Sequence, residues 1–93
     1  MHIGALTVTL TLGEGSSLKD KRRVIKSLVE TTRRRFNVSV AEVADLDRWR
    51  RATLGLACVA NEAAHANRVL DRALDYLESH PEVCVEQVEM EML

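Results

Sequence analysis

The sequence predicts an α+β fold of six elements in the order β-α-β-β-α-β. Two segments, at residues 1–12 and 51–61, alternate their side chains with the period of two that half-buried strands show. Two other segments repeat apolar residues at helical spacing. Turn and capping residues separate these segments from each other and from two further strand-like stretches.

The first strand, Met1 to Leu12, ends at the stretch GEGSS. Ser17 is the predicted N-cap of the first helix, and Asp20 three residues later completes a short form of the capping box. One face of this helix is apolar and predicts its buried side; it comprises Leu18, Val24, Ile25, Leu28, Val29, Thr32 and Phe36.

The second strand, Asn37 to Asp45, is short and partly polar, which favours a place at the edge of a sheet. The connection Leu46 to Arg50 leads to the third strand, Arg51 to Asn61. These two strands are close enough in sequence to form a hairpin.

Asn61 is predicted to cap a second helix, Glu62 to His80, and Pro81 ends that helix. Its small and apolar residues form the predicted buried stripe, namely Ala63, Ala66, Leu70, Ala73 and Leu77. The fourth strand covers residues 82–93, and its glutamates indicate a protected edge.

This order predicts a ferredoxin-like arrangement, in which two helices cover one face of a four-stranded antiparallel sheet. Right-handed crossovers place the first and third strands at the centre. The other sheet face is uncharged and would need a cover, so we expect a homodimer or another partner there, although a solvated face is the alternative. The residues of this open face are Ile3, Ala5, Thr7, Thr9, Thr11, Thr53, Ala57 and Val59.

Length and composition indicate one folded domain of 93 residues, with no signal peptide or membrane span, and hence a cytoplasmic protein. Cys58 and Cys84 are expected to be buried thiols. No residues have the spacing of a metal site, and no cofactor motif is intact, so no metal or cofactor is expected. The charge is divided unevenly, with +5 on residues 1–51 and −6 on residues 52–93.

The first helix carries a lengthwise stripe of cations beside its apolar face, formed by Lys19, Arg22, Arg23, Lys26, Arg33 and Arg34. A solvated face explains the cations at the C-terminal end, where the helix dipole favours positive charge. It does not explain the cations of the first turns, where the dipole favours anions. Those cations, Lys19, Lys21, Arg22 and Arg23, predict binding of an anion such as a phosphate.

Trp49 lies in the predicted connection between the second and third strands, with Arg48, Arg50 and Arg51 beside it. An aromatic ring next to arginines is typical of proteins that stack on unpaired bases. The alternative is that Trp49 packs on the edge of the core with an arginine stacked on it. The sequence alone leaves both open.

Other functions of this fold are less compatible with the residues. The central strands lack the aromatic residues of an RNA-recognition motif. An acylphosphatase-like phosphoryl hydrolase would need an arginine and an asparagine, for which Arg22 and Asn37 or Asn61 are the candidates, but their spacing fits poorly. The sequence therefore favours a protein that is not an enzyme.

Four stretches, SLKDKRRVIKSL, RFNVSVAEVAD, WRRATLGLACVAN and VLDRALDYLE, together resemble the YlxP-like family of small bacterial proteins. The resemblance covers almost the whole chain. It implies a ferredoxin-like fold, a bacterial cytoplasm and a place near translation and ribosome-maturation genes. It implies no established activity, cofactor or catalytic residue.

We therefore expect a module that binds an anionic partner, with RNA or a ribosomal particle as the leading candidate. The first helix would bind it, together with the loop around Trp49. The rival expectation is a protein-interaction module whose open sheet face binds a second copy and whose basic stripe pairs with Glu86, Glu89 and Glu91.

Overall fold

The computed structural model describes residues 1–13 and 17–93. The predicted turn GEGSS includes residues 14–16, which lie outside this description. The elements follow the predicted order: β1 (His2–Leu12), α1 (Leu18–Arg35), β2 (Ser39–Ala44), β3 (Arg51–Ala60), α2 (Ala63–Ser79) and β4 (Val83–Met92). The strands form one antiparallel sheet in the order β2-β3-β1-β4, so the predicted ferredoxin-like fold is confirmed.

The core lies between one face of the sheet and the two helices. Leu6 and Leu56 are paired in the register of β1 and β3, and both are buried. Helix α2 packs on β1, β3 and β4, whereas α1 packs on β2. The helices bury the residues that helical spacing places on one face, namely Val24, Ile25, Leu28 and Thr32 of α1, and Ala66, Leu70, Ala73 and Leu77 of α2. No helix within residues 1–13 and 17–93 is long and apolar enough to cross a membrane.

Helix α1 begins with the predicted capping box. The backbone N–H of Asp20 donates to the Ser17 hydroxyl at 3.1 Å, and the backbone N–H of Ser17 donates to the Asp20 carboxylate at 3.3 Å. The Ser17 hydroxyl also donates to this carboxylate at 3.0 Å, and the two bonds hold the pKa of Asp20 below its usual value. The helix start therefore follows from local sequence.

The start of α2 differs from the prediction. Its N-cap is Glu62 rather than Asn61, and Glu62 makes no side-chain capping bond. The helix begins one residue later than expected, and Ala63 at its first position is exposed instead of belonging to the buried stripe.

Cys84 is exposed, contrary to the prediction, whereas Cys58 is buried as expected; both are free thiols. A β-bulge between β1 and β4 is the physical reason. The register shifts by one residue after Thr9, so that Cys84 pairs with Thr11 on the open face. Without the shift it would pair with Leu12 and point into the core, because one residue of slip moves a side chain to the other face.

The open face is less uniform than its β1 and β3 residues indicate. Thr9 on the central strand is buried, whereas Val59 is 56% exposed. Strand β4 adds polar and acidic residues, because Glu89 and Glu91 are paired with Thr7 and Ala5 in the register. The face thus joins an apolar area on β2, β3 and β1 to an acidic margin on β4.

Candidate functional site

The six cations of the predicted stripe are all exposed on α1. Two of them lie near acidic residues of the connections between elements: Arg22 is 3.8 Å from Asp47, and Arg23 is 3.8 Å from Glu82. These pairs are long and solvent-exposed, and pairs of that kind contribute little to stability. The first half of α1 therefore presents a cationic surface, which we call the α1 stripe and define as Lys19, Arg22, Arg23 and Lys26.

Lys21 does not belong to the anion-binding residues, contrary to the prediction. Its side chain is 0% exposed, and its ammonium group pairs with Glu42. The same nitrogen donates to the carbonyl oxygens of Asp45 at 2.9 Å and Leu46 at 3.0 Å. An ammonium group has three donors, so all of them are used within the protein. No donor remains for an external anion.

The position of Lys21 on the helix could have indicated its burial. Lys21 follows Leu18 by three residues, which is about 300° around the helix. On a helical wheel this direction lies among the apolar residues of α1, whereas the residues of the α1 stripe lie on the opposite side. Charge alone grouped Lys21 with its neighbours, although helical geometry separates it from them.

Lys21 joins α1 to the connection between β2 and β3, residues 45–50, which we call the Trp49 loop. Because its nitrogen binds two carbonyl oxygens of this loop, the loop lies against the first turns of α1. The Arg22–Asp47 pair lies at the same junction. Two candidate sites that are separate in sequence are therefore neighbours at one end of the sheet.

The Trp49 loop is held by further bonds at both ends. The Asp45 carboxylate accepts from the Thr53 hydroxyl at 2.7 Å and from Nε of Arg51 at 3.2 Å. The Thr53 bond, and then the arginine, hold the pKa of Asp45 below its usual value. Asp45 has a φ of 63°, a left-handed conformation that aspartate tolerates better than most residues. The backbone N–H of Arg48 then donates to the Asp45 carbonyl at 3.0 Å.

Trp49 is 60% exposed, so most of its side chain faces solvent rather than the core. Its side chain lines an open depression of about 400 Å³ together with Thr11, Arg48, Arg50 and Arg51. Thr11 and Arg51 are register partners at the end of β1 and β3. The depression therefore opens at the end of the sheet, where the Trp49 loop passes from β2 to β3.

The cations at the end of α1 have partners in the fold. Nη2 of Arg33 donates to the carbonyl oxygen of Val40 on β2 at 2.8 Å. The guanidinium of Arg35 lies 4.6 Å from the centre of the Tyr76 ring, within the range of a cation–π interaction. Arg33 and Arg35 thus have structural roles, and the α1 stripe of the first turns is the more available cationic surface.

The residues proposed for an acylphosphatase-like site do not come together. Arg22 lies beside the Trp49 loop, whereas Asn37 follows the other end of α1, about 20 Å away at the rise of an α-helix. Asn61 follows β3 at the end where Ala60 pairs with His2, also opposite the Trp49 loop. Among the described residues, no group of three His, Cys, Asp or Glu side chains could hold a metal ion.

Comparison with known proteins agrees with the architecture. The chain is similar to a de novo designed protein, Foldit4, with a TM-score of 0.54 and 14% identity over 100% of this chain and 97% of that one, which shows the fold alone. It is 32% identical over 81 residues to the uncharacterized protein YlxP of Bacillus subtilis (strain 168), covering 87% of this chain and 88% of the relative. Residues 3–90 match the family described as protein of unknown function (DUF503). The chain therefore belongs to the DUF503 family, as its resemblance to YlxP-like proteins predicts.

Proposed function

We propose that this protein is a non-enzymatic module that binds structured RNA or a ribosomal particle. The α1 stripe and the Trp49 loop would form the binding surface. The observation that carries the proposal is the contact between these two features, which Lys21 holds against each other. Cations for phosphates and an exposed aromatic ring for bases are the two elements of RNA recognition.

The electrostatics of α1 support a polyanionic partner. Lys19 lies in the first turn, where the helix dipole disfavours a cation by about 0.3–1 kcal/mol. The other cations of the α1 stripe lie beyond that turn, and the long pairs with Asp47 and Glu82 neutralise little of their charge. Phosphate groups along the α1 stripe would pair with these cations, whereas the helix N-terminus itself is capped by Ser17 and Asp20.

The proposal implies a protein that acts in the cytoplasm, where ribosomes and structured RNA are present. The resemblance to YlxP-like proteins favours this setting, since it implies a place near translation and ribosome-maturation genes. The family description itself assigns no partner.

Sedimentation velocity with and without a structured RNA, at low and raised salt, tests the proposal. We expect a faster-moving complex with RNA at low salt that dissociates as salt rises, because cation–phosphate contacts release counterions. If the protein sediments identically with and without RNA at low salt, the proposal is wrong.

A second candidate function is self-association through the open sheet face. An apolar depression on this face is lined by β1, β2 and β3, with Val43 and Val59 among the exposed apolar residues of the sheet. The acidic margin on β4 and the basic stripe on α1 are complementary charges, which favours a second copy of the chain as the occupant.

The same sedimentation runs without RNA separate the two candidates. A dimer would sediment at twice the chain mass of 10.4 kDa. If pairing between the acidic margin and the basic stripe contributes, the dimer should dissociate more readily at high salt. A single species at the monomer mass at every protein concentration would contradict self-association and leave the RNA proposal standing.

A further inference from the structure

We propose that the depression beside Trp49 receives one unpaired base of the RNA, so that the partner has a bulge, loop or single-stranded end next to its duplex. This inference rests on the proposed function and gives the α1 stripe and the Trp49 loop different roles in binding. The α1 stripe would bind the phosphates of the duplex, and Trp49 would stack on the unpaired base.

Trp49 differs in exposure from the other aromatic rings of the chain. The other two aromatic residues of the chain are packed together, with ring centres of Phe36 and Tyr76 5.9 Å apart. Trp49 is instead 60% exposed, although burial of so large an apolar ring would stabilise a small domain. The ring contributes little to the core and is available for stacking.

The Trp49 loop is held in place by bonds within the protein. Lys21 binds the carbonyl oxygens of Asp45 and Leu46, and the carbonyl oxygen of Arg50 accepts from the N–H of Leu12 at 2.9 Å. Trp49 is therefore presented by a segment that is attached on both sides. Binding to a preorganised ring loses less conformational entropy than binding to a flexible one.

The residues that line the depression suit a nucleotide. Beside Trp49 the lining consists of Thr11, Arg48, Arg50 and Arg51. The ring is the surface for the base, whereas the arginines around it suit the phosphates that flank an unpaired nucleotide.

A continuous RNA duplex would leave the depression unused. In A-form RNA the bases are stacked inside the helix, and the accessible minor groove presents hydroxyl groups and base edges. An unpaired base offers a free aromatic face, and a volume of about 400 Å³ lies in the range of small-ligand sites. The structure thus favours RNA with an unpaired nucleotide over a fully paired duplex.

The fluorescence of Trp49, the only tryptophan, gives a direct test. The full chain is titrated with an RNA hairpin that has an unpaired loop and, at the same salt, with a blunt duplex of the same stem sequence. We expect quenching with the hairpin and little change with the duplex. Trp49→Ala, assayed with labelled RNA, should weaken hairpin binding by about tenfold or more and leave duplex binding unchanged. Trp49→Phe should retain most of the hairpin affinity.

Leu93→Ala is the matched control, because Leu93 is also an exposed apolar residue but its N–H bonds to Ile3 at the opposite end of β1. This variant should bind both RNAs like the unchanged protein. Equal affinity of the unchanged protein for hairpin and duplex, with no loss in Trp49→Ala, would overturn the inference while the proposed function stands. No binding of either RNA would overturn both.

Discussion

At the scale of single residues, Lys21 is the position where structure most changes the interpretation of the sequence. It belongs to the motif LKDKRR, yet its side chain is fully buried and satisfied by Glu42 and two carbonyl oxygens. A buried charge is tolerated only when paired and hydrogen-bonded. Lys21 is therefore a structural residue that fixes the Trp49 loop against α1, and it supports the candidate site without touching a ligand.

Replacing Lys21 by Met should destabilise the fold by about 3 kcal/mol. The reason is that Glu42 and the two carbonyl oxygens lose their donor; Glu42 retains 18% exposure, which places the cost at the lower end for a buried pair. Urea unfolding measures the change. Lys19→Met, two residues away and exposed, is the control and should stay within about 0.5 kcal/mol. Equal stability of the two variants would refute the structural role of Lys21.

The sequence could predict the capping box of α1 but not the N-cap of α2, nor which charged and aromatic side chains are buried. Ser17 and Asp20 form their capping box because the pattern is local. The exposure of Trp49 depends on a loop whose path is set by bonds from α1, β1 and β3, which no local pattern contains. The sequence alone therefore leaves the exposure of Trp49 open, because its loop depends on partners that are distant in sequence.

At the scale of elements, α1 is divided along its length. The first turns present the α1 stripe to solvent, whereas Arg33 and Arg35 near the end contact β2 and Tyr76. Arg33 has a further effect on the sheet, because β2 is an edge strand and its Val40 carbonyl oxygen accepts from the guanidinium. Covering an edge with a charged group protects it from pairing with another chain.

Arg33→Ala should therefore lower the free energy of unfolding by about 1 kcal/mol, the typical net value of an intramolecular hydrogen bond. Arg34→Ala removes the neighbouring cation and should stay within about 0.5 kcal/mol. Thermal or urea unfolding of the two variants provides the comparison. An Arg33→Ala protein as stable as Arg34→Ala would show that the bond to Val40 does not contribute.

The bounds of the elements were predictable where periodicity is strong. The alternation in β1 and β3 gave both strands and their faces, and chain connectivity placed them at the centre of the sheet. The β-bulge between β1 and β4 was not predictable, because it depends on the pairing of two strands that are distant in sequence. That single shift decides the side on which Cys84 lies.

At the scale of the whole molecule, the fold converts an uneven charge distribution into a defined surface. The sequence carries +5 in its first half, but only the structure shows that the α1 stripe and the Trp49 loop adjoin. Sequence predicted the separate parts because helix periodicity and composition are local. Their contact depends on the tertiary position of the Trp49 loop and could not be inferred from either part alone.

We propose that RNA binds to the α1 stripe and not to cationic residues in general. The most direct measurement is the slope of log affinity against log salt concentration for two charge-reversed variants. One carries Arg22→Glu and Lys26→Glu in the stripe. The other carries Arg68→Glu and Arg72→Glu, which have the same four-residue spacing on exposed positions of α2 and the same change in net charge.

The stripe variant should bind RNA weakly, with the slope reduced in magnitude by about two, since each phosphate contact contributes about one. The α2 variant should keep the slope of the unchanged protein and most of its affinity. Equal losses of affinity and slope in both variants would contradict the account, because net charge rather than the α1 stripe would then determine binding.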